Sequence, residues 1–311
     1  MRGLRIGIGI TDGGAAEGGV EVLLEDFRNA EREGFQAAWV ANIFAMDAMT
    51  LIALAGRETR RLELGTAVVP TFSRHPFYLA QQALSTQAAT AGRFVCGLGP
   101  SHRVVIENML GLSYDKVARH VREYVTVVKA LVETGQVEFR GETYRVQGAL
   151  RVSGGSPMPV LIGALGPLMR RIAGELCEGT ITWMTGPRTL AEKVGPDVRA
   201  AARRAGRPEP RIVAGFPICL TEDPAGAREA AGKAFAIYGT LPSYRAMLDE
   251  EGLAGPADIA IAGDEQALES ALHGLADAGV TDLNAAIFPH GPDPVASMAR
   301  TRALLAELAS S

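Results

Sequence analysis

Cysteine is scarce in this sequence, and charges of one sign do not cluster. The three cysteines, Cys96, Cys177 and Cys219, are odd in number, far apart and surrounded by apolar residues. We therefore expect reduced thiols in the core of a cytoplasmic protein, with neither a disulfide framework nor metal-ligand spacing. The 31 basic and 35 acidic residues are interspersed and give a net charge of −4. This pattern argues against a nucleic-acid partner and against a basic membrane-binding face.

The sequence also lacks several familiar signals. The first apolar run, residues 4–10, is too short for a signal peptide or a membrane span. Neither H-E-x-x-H nor C-x-x-C occurs, and we expect His120 and Glu123 to form an i, i+3 pair on a helix surface, so no metal site is predicted. Residues 99–103 read GPSHR, which does not fit the G-x-S-x-G of serine hydrolases.

What the sequence does have is a regular alternation of short apolar runs with longer amphipathic stretches. The clearest helix spans 115–134, where apolar residues share one face at helical spacing. The last helix begins with Asp293 as N-cap and Pro294 at its first position. Eight strands alternating with helices predict parallel strands joined by crossovers, and eight is the number that closes a (β/α)8 TIM barrel. The predicted strands are 4–10, 37–41, 62–69, 93–98, 159–164, 179–184, 211–220 and 281–288.

Two segments depart from this alternation. Residues 135–147 alternate apolar and polar side chains around Arg140-Gly141-Glu142, which predicts a short β-hairpin inserted between strands four and five. Residues 239–256 form an irregular region after strand seven. Since there is no internal repeat, linker or shift in composition, we expect residues 1–311 to form a single domain.

A doubly wound open sheet is the competing architecture, and it calls for a phosphate-binding G-x-G-x-x-G after a strand. Gly7-Ile8-Gly9 and Gly97-Leu98-Gly99 both lack the third glycine at that spacing. Glycines inside strands are more typical of close packing, so the barrel is favoured.

In a TIM barrel the active site lies at the C-terminal ends of the strands. Gly99 and Ser101 precede a predicted helix, and Gly166 stands at the start of another, so backbone N–H groups there suit a phosphate. A phosphorylated cofactor across the barrel mouth fits these residues better than acid–base hydrolysis. The polar or loop residues that follow strand ends are Asn42, Arg74, His75, Ser101, His102, Arg103, residues 163–167, Thr185, Gly186 and His290.

Three stretches carry a family resemblance. LELGTAVVPTFSRHP (62–76), AGRFVCGLGPSH (91–102) and PVLIGALGPLMRRIAGELCEGTITW (159–183) resemble the luciferase-like monooxygenase superfamily. Within it, the chain is similar to the coenzyme F420-dependent oxidoreductases, which include methylenetetrahydromethanopterin reductase. The resemblance covers nearly the whole chain. It implies a TIM barrel with the deazaflavin ring at its C-terminal mouth, and a homodimer formed through helices beside strands one to three.

The resemblance also implies the cofactor site. A non-prolyl cis peptide in a bulge at the end of strand three presses on one face of the ring in this family, and the matching bond here is Ala67–Val68. Backbone after strands four and five would hold the phosphate and tail, and Asn42 stands where the family often has an aspartate at the ring edge. The implied cofactor-binding residues are Asn42, Ala67, Val68, Val69, Gly99, Pro100, Ser101, Ala164, Leu165, Gly166, Leu168 and Met169.

Two departures from the family bear on the reaction. Alcohol- and sugar-oxidising members have a histidine where this chain has Ile43, and a glutamate where it has His102. The implied reaction is therefore hydride transfer from F420H2 to a C=C, C=N or pterin-like acceptor, with His102 as proton donor. His102 could equally neutralise a cofactor phosphate or ring carbonyl. Arg74 and His75 could reach the cofactor's acidic tail, or lie in a solvated loop or dimer contact.

Two other functions stay open at this point. One is an FMN-dependent luciferase-like monooxygenase, because no residue pattern excludes FMN, and the other is a non-catalytic flavin-binding relative. Residues 135–157 and 239–257 are expected to cover the mouth and select the acceptor.

Overall fold

The computed structural model describes residues 3–11 and 19–310, which fold into a (β/α)8 barrel as predicted. The strands are β1 (Arg5–Gly9), β2 (Ala37–Val40), β3 (Glu63–Thr66), β4 (Val69–Pro70), β5 (Phe94–Gly99), β6 (Gln136–Arg140), β7 (Arg145–Ala149), β8 (Val160–Gly163), β9 (Gly179–Trp183), β10 (Arg211–Leu220), β11 (Ile261–Gly263) and β12 (Asp282–Ile287). The helices are α1 (Val20–Arg32), α2 (Ala48–Glu58), α3 (Pro76–Ala89), α4 (Val117–Thr134), α5 (Pro167–Leu176), α6 (Pro187–Thr189), α7 (Gly195–Arg204), α8 (Pro224–Ala234), α9 (Pro242–Glu251), α10 (Pro256–Ile259), α11 (Glu265–Asp277) and α12 (Pro294–Ser310). Residues Val104–Met109 and Leu190–Val194 form π-helical turns, and Ala236–Gly239 forms a 3-10 turn.

The barrel strands are parallel and follow the order β1-β2-β3-β5-β8-β9-β10-β12, with β12 pairing back to β1. Each predicted strand corresponds to one of them, apart from small shifts at the ends. The predicted N-cap of the last helix is confirmed, since the Ala296 N–H donates to Asp293 Oδ1 at 3.0 Å. The three cysteines are free and buried, as expected. No helix in the described ranges has the length and apolar character needed to cross a bilayer.

The predicted third strand, 62–69, is divided into β3 and β4. The hydroxyl of Thr66 donates to the Gly97 carbonyl at 2.8 Å and accepts from the Gly97 N–H at 2.9 Å. The Thr66 side chain thus takes the place of backbone groups in the hydrogen-bonded ladder between β3 and β5. A Cβ at position 97 would lie 1.9 Å from the Thr66 carbonyl oxygen, so only glycine fits there. The peptide bond between Ala67 and Val68, which lies within this bulge, is cis, which confirms the bond implied by the resemblance.

An ion cluster closes the N-terminal end of the barrel. Arg211 binds Asp282 at 2.6 Å and Glu63 at 2.7 Å, and Arg5 binds Asp282 at 3.0 Å. Burial opposes the charge on Arg211, but the hydrogen bonds that it donates to both carboxylates outweigh this effect and raise its pKa.

One large side chain fills the middle of the barrel. Trp39 lies between Gly7 and Gly65, where an added Cβ would come within 2.7 Å of its Nε1 and 2.3 Å of its Cζ3. These strand glycines therefore make room for an indole, which gives Gly7 a packing role in place of a phosphate-binding one. The other apolar residues of this layer are Ala37, Val95, Leu161, Ile181 and Val213.

The predicted hairpin is present as β6 and β7, paired antiparallel. The expectation of an irregular region at 239–256 was wrong, because α9 and α10 occupy most of it. Its prolines and glycines suggest a loop, yet a proline stands at the first position of each helix and Gly252 caps the end of α9 at φ 82°. Both positions are ones that helix ends favour. The sequence also gave no sign of β11, which is only three residues long and pairs with the far end of β10.

Candidate active site

The C-terminal mouth of the barrel has a floor of small residues. Because side chains alternate along a strand, the positions two residues beyond the inward-facing middle layer also point inward. At Gly163 an added Cβ would have no neighbour nearer than 3.8 Å, so there is open space above the floor. The result is a shallow bowl that can admit a flat ring. Its small inward positions include Gly9, Ala67, Gly163 and Ala286, and Gly99 four residues beyond Val95, while Gly215 is also inward but lies against the Trp183 ring.

Val68 forms one wall of this bowl. A Cβ at Gly99 would lie 2.5 Å from Val68 Cγ2, so glycine at 99 is what lets the valine sit where it does. Ala67 and Val68 pack on the apolar residues around Trp39. Val69, the next residue, is fully buried and pairs with Leu98 of β5. The wall is thus held by the apolar residues around Trp39 and by the pairing of β4 with β5.

Asn284 adds a polar group that sequence reasoning missed. Its Oδ1 is buried and has no hydrogen-bond partner within residues 3–11 and 19–310. A Cβ at Gly9 would lie 3.1 Å from this oxygen, which places it beside the floor. Buried amides are normally satisfied, so Asn284 could bind the polar edge of a ring. The signal available was an asparagine between the apolar residues Leu283 and Ala285 of β12.

Two loops bring backbone groups to the mouth. Ser101 has a left-handed backbone at φ 60°, and its carbonyl accepts from the Tyr114 hydroxyl at 2.7 Å. Gly166 is the N-cap of α5 and provides no side chain to cap it, so the first N–H groups of the helix, which include those of Leu168 and Met169, lack an intrahelical acceptor. A Cβ at Gly166 would meet no atom within 4 Å. This helix start has the open space and the N–H donors that an anion requires.

The remaining residues of these two loops are held in place. Arg170, which is buried, donates to the Leu165 carbonyl at 2.9 Å and pairs with Asp197. Ala164 is fully buried, and Pro100 follows the end of β5. The backbone that carries the predicted phosphate-binding residues is therefore positioned by side chains of the same chain.

Asn42 lies in the loop after β2, where its Oδ1 accepts from the Ala48 N–H at 3.0 Å. Next to it, Ile43 and Phe44 are 57% and 68% exposed. They give this side of the mouth an apolar lip.

Arg74 and His75 have partners within the protein. Arg74 binds the carboxylate of Asp47 and the Oε1 of Gln82. His75 is the N-cap of α3, and its Nδ1 accepts from the Phe77 N–H at 3.3 Å. Both side chains stabilise the loop between β4 and α3.

His102 lies at the mouth beside Tyr244, with 5.4 Å between the ring centroids. Burial lowers the pKa of His102 below its ordinary value, so its imidazole is mainly neutral at neutral pH. The third rim histidine, His290, pairs instead with Asp223 at 2.9 Å. The histidines at 75, 102 and 290 thus do not form one cluster.

The expectation that His120 and Glu123 form a surface pair was wrong, because both side chains are buried. The Nε2 of His120 lies 2.9 Å from Thr71 Oγ1, and its ring stacks on Phe72 at 3.7 Å. Burial lowers the pKa of His120 to about 4. Helix α4 therefore holds the segment directly after β4, behind the Val68 wall.

Glu123 fixes the tip of the hairpin. Its carboxylate accepts from the backbone N–H groups of residues 142, 143 and 144 at 3.0, 2.8 and 2.9 Å. Burial would raise the pKa of Glu123, but these three donors outweigh it and lower the pKa. The pattern of α4 gave no sign of this role because the partners are backbone groups of another element.

Comparisons with known proteins agree with this architecture. The family model for luciferase-like monooxygenases matches residues 5–304. A 5,10-methylenetetrahydromethanopterin reductase of Archaeoglobus fulgidus is 28% identical over 75% of this chain and 70% of its own. An F420-dependent glucose-6-phosphate dehydrogenase of Kineococcus radiotolerans is 28% identical over 84% of this chain and 85% of its own. The solved F420-dependent tetrahydromethanopterin reductase of Methanopyrus kandleri superposes with a TM-score of 0.80 at 22% identity, covering 98% of this chain and 97% of that one.

Proposed function

Because the chain belongs to the luciferase-like monooxygenase family, we propose that it is an F420-dependent oxidoreductase that reduces a small organic acceptor. The acceptor bond is C=C, C=N or a pterin-like system. A relative named as an F420-dependent dehydrogenase supports the cofactor assignment, and a relative named as a methylenetetrahydromethanopterin reductase supports reduction of a pterin-like acceptor.

The observation that carries the proposal is the bowl at the mouth. Its floor of glycine and alanine, with open space above Gly163, would receive a flat ring, Val68 would contact one face of that ring, and the unpartnered Oδ1 of Asn284 would accept a hydrogen bond from its polar edge. The start of α5 would hold the cofactor phosphate. The residues that would contact the cofactor are Asn42, Ala67, Val68, Val69, Gly99, Pro100, Ser101, Ala164, Leu165, Gly166, Leu168 and Met169, together with Asn284.

A reduced deazaflavin, when bound, supplies a hydride. The chain itself must hold the acceptor, exclude water and provide one proton to complete the reduction of the double bond. His102 would hold that proton on an imidazole nitrogen, since it lies at the mouth beside Tyr244 and an imidazole suits proton transfer near neutral pH.

The apolar lip at Ile43 and Phe44 supports the reductive direction of the reaction. Ile43 and Phe44 present exposed apolar surface where an alcohol-oxidising site needs a group that removes a hydroxyl proton. An apolar lip favours an acceptor without a hydroxyl, so reduction is the better fit.

The deciding experiment is to titrate the purified protein with F420 and with FMN. It is then mixed with F420H2 and a panel of enones, imines and pterins while the oxidised-cofactor band is followed. We expect F420 to bind and at least one acceptor class to be turned over. Tight FMN binding without F420 binding would overturn the proposal. F420 binding without turnover of any acceptor would favour a non-catalytic flavin-binding relative.

We also propose that residues 1–311 act as a single domain in a cytoplasmic homodimer. Helices α1, α2 and α3 lie beside β1 to β3, and each exposes a large apolar side chain: Val22, Leu54 and Tyr78. A dimer through this face would bury them. Light scattering on the eluted protein tests this, and a monomeric mass at micromolar concentration would contradict it.

A further inference from the structure

Aromatic side chains line the mouth opposite the Val68 wall. Trp183, at the end of β9, contacts Tyr238 with 5.8 Å between ring centroids. Tyr238 meets Tyr244 edge to face at 5.0 Å, and Tyr244 meets His102 at 5.4 Å. Phe235 completes the set at 5.7 Å from Trp183. We call Trp183, Phe235, Tyr238 and Tyr244 the aromatic arc.

The arc faces the bowl and not the outside of the barrel. Ile181 points inward, so Trp183, two residues further along the same strand, points inward as well. A Cβ at Gly215, on the neighbouring strand, would lie 2.7 Å from the Trp183 ring. In the order of barrel strands, β9 is three places from β3, so the indole lies across the mouth from Val68.

The arc is rigid but its rings remain accessible. All four members are only partly buried, although they pack against one another. Behind them lie Met184, Leu248 and Ile259, which are almost completely buried. A firmly backed aromatic surface that still faces solvent can bind a flat ring at little entropic cost.

The titratable side chains of the arc, and the neighbouring His102, are uncharged at neutral pH. Burial raises the pKa of Tyr238 and Tyr244 and lowers that of His102, so all three are neutral. The cations nearest along the chain are committed elsewhere: Arg103, Lys233 and Arg245 bind Glu107, Glu229 and Asp249 respectively. A phosphate or carboxylate against the arc would lose its hydration without gaining a cation.

We propose that the aromatic arc is the acceptor subsite, and that it selects a planar, conjugated and uncharged acceptor over a sugar phosphate or a simple aliphatic enone. This deepens the proposed function and rests on it, because the acceptor must lie between the arc and the cofactor bowl.

The test is equilibrium dialysis of three probes against the purified protein, alone and loaded with F420. Coumarin and 5,6-dihydro-2-pyranone share one unsaturated lactone, and only coumarin carries the fused aromatic ring. Glucose 6-phosphate is the charged probe. We expect coumarin to bind about tenfold or more tightly than the pyranone, and glucose 6-phosphate to bind most weakly.

Variants connect this preference to the arc. Tyr244→Leu and Tyr238→Leu should each remove most of the preference, whereas Tyr244→Phe should keep it because the ring remains. Val295→Ala is the control, since Val295 is 80% exposed on α12, away from the arc and from the proposed dimer face. Circular dichroism checks that each variant folds.

Equal binding of coumarin and pyranone to the wild type, or a preference that survives both leucine variants, would overturn the proposal. F420 affinity, measured separately, tests the proposed function. A wild type that does not bind F420 but still prefers coumarin would overturn that function and would leave the proposal for the arc intact.

Discussion

The Nε2 of His120 lies 2.9 Å from the Oγ1 of Thr71, across 49 residues of sequence. Thr71 follows β4, and its N–H donates to the Gly99 carbonyl at 2.9 Å. One hydrogen bond therefore joins the long helix α4 to the strand ends that carry the wall and floor of the mouth. Because His120 stacks on Phe72 and contacts Tyr144, it is held neutral in a mainly aromatic environment.

This environment predicts a loss of stability in weak acid. The pKa of His120 is about 4 in the folded protein and near its ordinary value of about 6.5 when unfolded. Between these two values the unfolded chain binds more protons, so the free energy of unfolding falls as the pH falls. From about pH 7 to pH 5 the loss should be roughly 2 kcal/mol. Denaturant unfolding at both pH values measures it.

The matched variants are His120→Gln and His273→Gln. The first removes the titrating group and should weaken the pH dependence, whereas His273 is exposed on α11 and its replacement should leave the dependence unchanged. The same pH dependence in His120→Gln as in the wild type would refute this assignment.

Gly141 should be intolerant of even one added methyl group. A Cβ there would lie 2.3 Å from Glu123 Oε2, which accepts two of the three hydrogen bonds at the hairpin tip. We expect Gly141→Ala to cost about 1–3 kcal/mol and to raise amide hydrogen exchange at residues 142–144. Gly274→Ala is the control, because that exposed helix glycine has no neighbour within 4 Å, and it should be neutral or slightly stabilising. Unchanged exchange in Gly141→Ala would show that Glu123 does not hold the tip.

Contacts of this kind could not be predicted from the sequence. The barrel could be predicted because alternating strands and helices restrict the topology, and the cis bond at Ala67–Val68 because a family pattern marks it. The roles of His120 and Glu123 could not, since their partners lie on other elements and include backbone groups that carry no sequence signal.

The same limit applies to the aromatic arc. Trp183 is recognisable as the end of a strand, but Tyr238 lies directly before, and Tyr244 within, the segment 239–256 whose prolines and glycines suggested a loop. The folded 3-10 turn Ala236–Gly239 brings Tyr238 to the mouth, and helix α9 brings Tyr244. The strand ends could therefore be placed from sequence, whereas the side chains that close the site depended on tertiary packing.

Gly163 offers a direct test of the bowl. A Cβ there would have no neighbour nearer than 3.8 Å, so we expect Gly163→Val to fold with little change in stability, since valine suits a strand. Its methyl groups would occupy the space above the floor. We expect the affinity for F420 to fall about tenfold or more. Calorimetric titration measures it, with Gly274→Ala as the folded control. Full affinity in Gly163→Val would place the cofactor elsewhere.

His102 should control the pH dependence of turnover. Because burial lowers its pKa, the protonated fraction is small at neutral pH and rises as the pH falls. If His102 provides the proton, kcat should rise on acidification from about pH 7.5 to pH 6, and His102→Gln should lose the rise and about a hundredfold in kcat. If His102 only neutralises the cofactor, the variant would instead weaken F420 binding and keep the wild-type pH profile. That second outcome would remove His102 as proton donor.

Asp282 should affect stability without affecting the mouth. It is almost completely buried at the N-terminal end of the barrel, where it binds both Arg5 and Arg211. Asp282→Asn would leave two guanidinium groups facing the single carboxylate of Glu63, and breaking such a buried pair costs about 3 kcal/mol. Because the ion cluster lies at the opposite end of the barrel from the bowl, F420 affinity should stay within about twofold of the wild type. Denaturant unfolding measures the stability, and F420 titration of the same preparation measures the affinity.

The control is Glu209→Gln, which breaks an exposed pair with Arg199 and should cost less than about 1 kcal/mol. A stable Asp282→Asn variant that fails to bind F420 would mean that the two ends of the barrel are coupled.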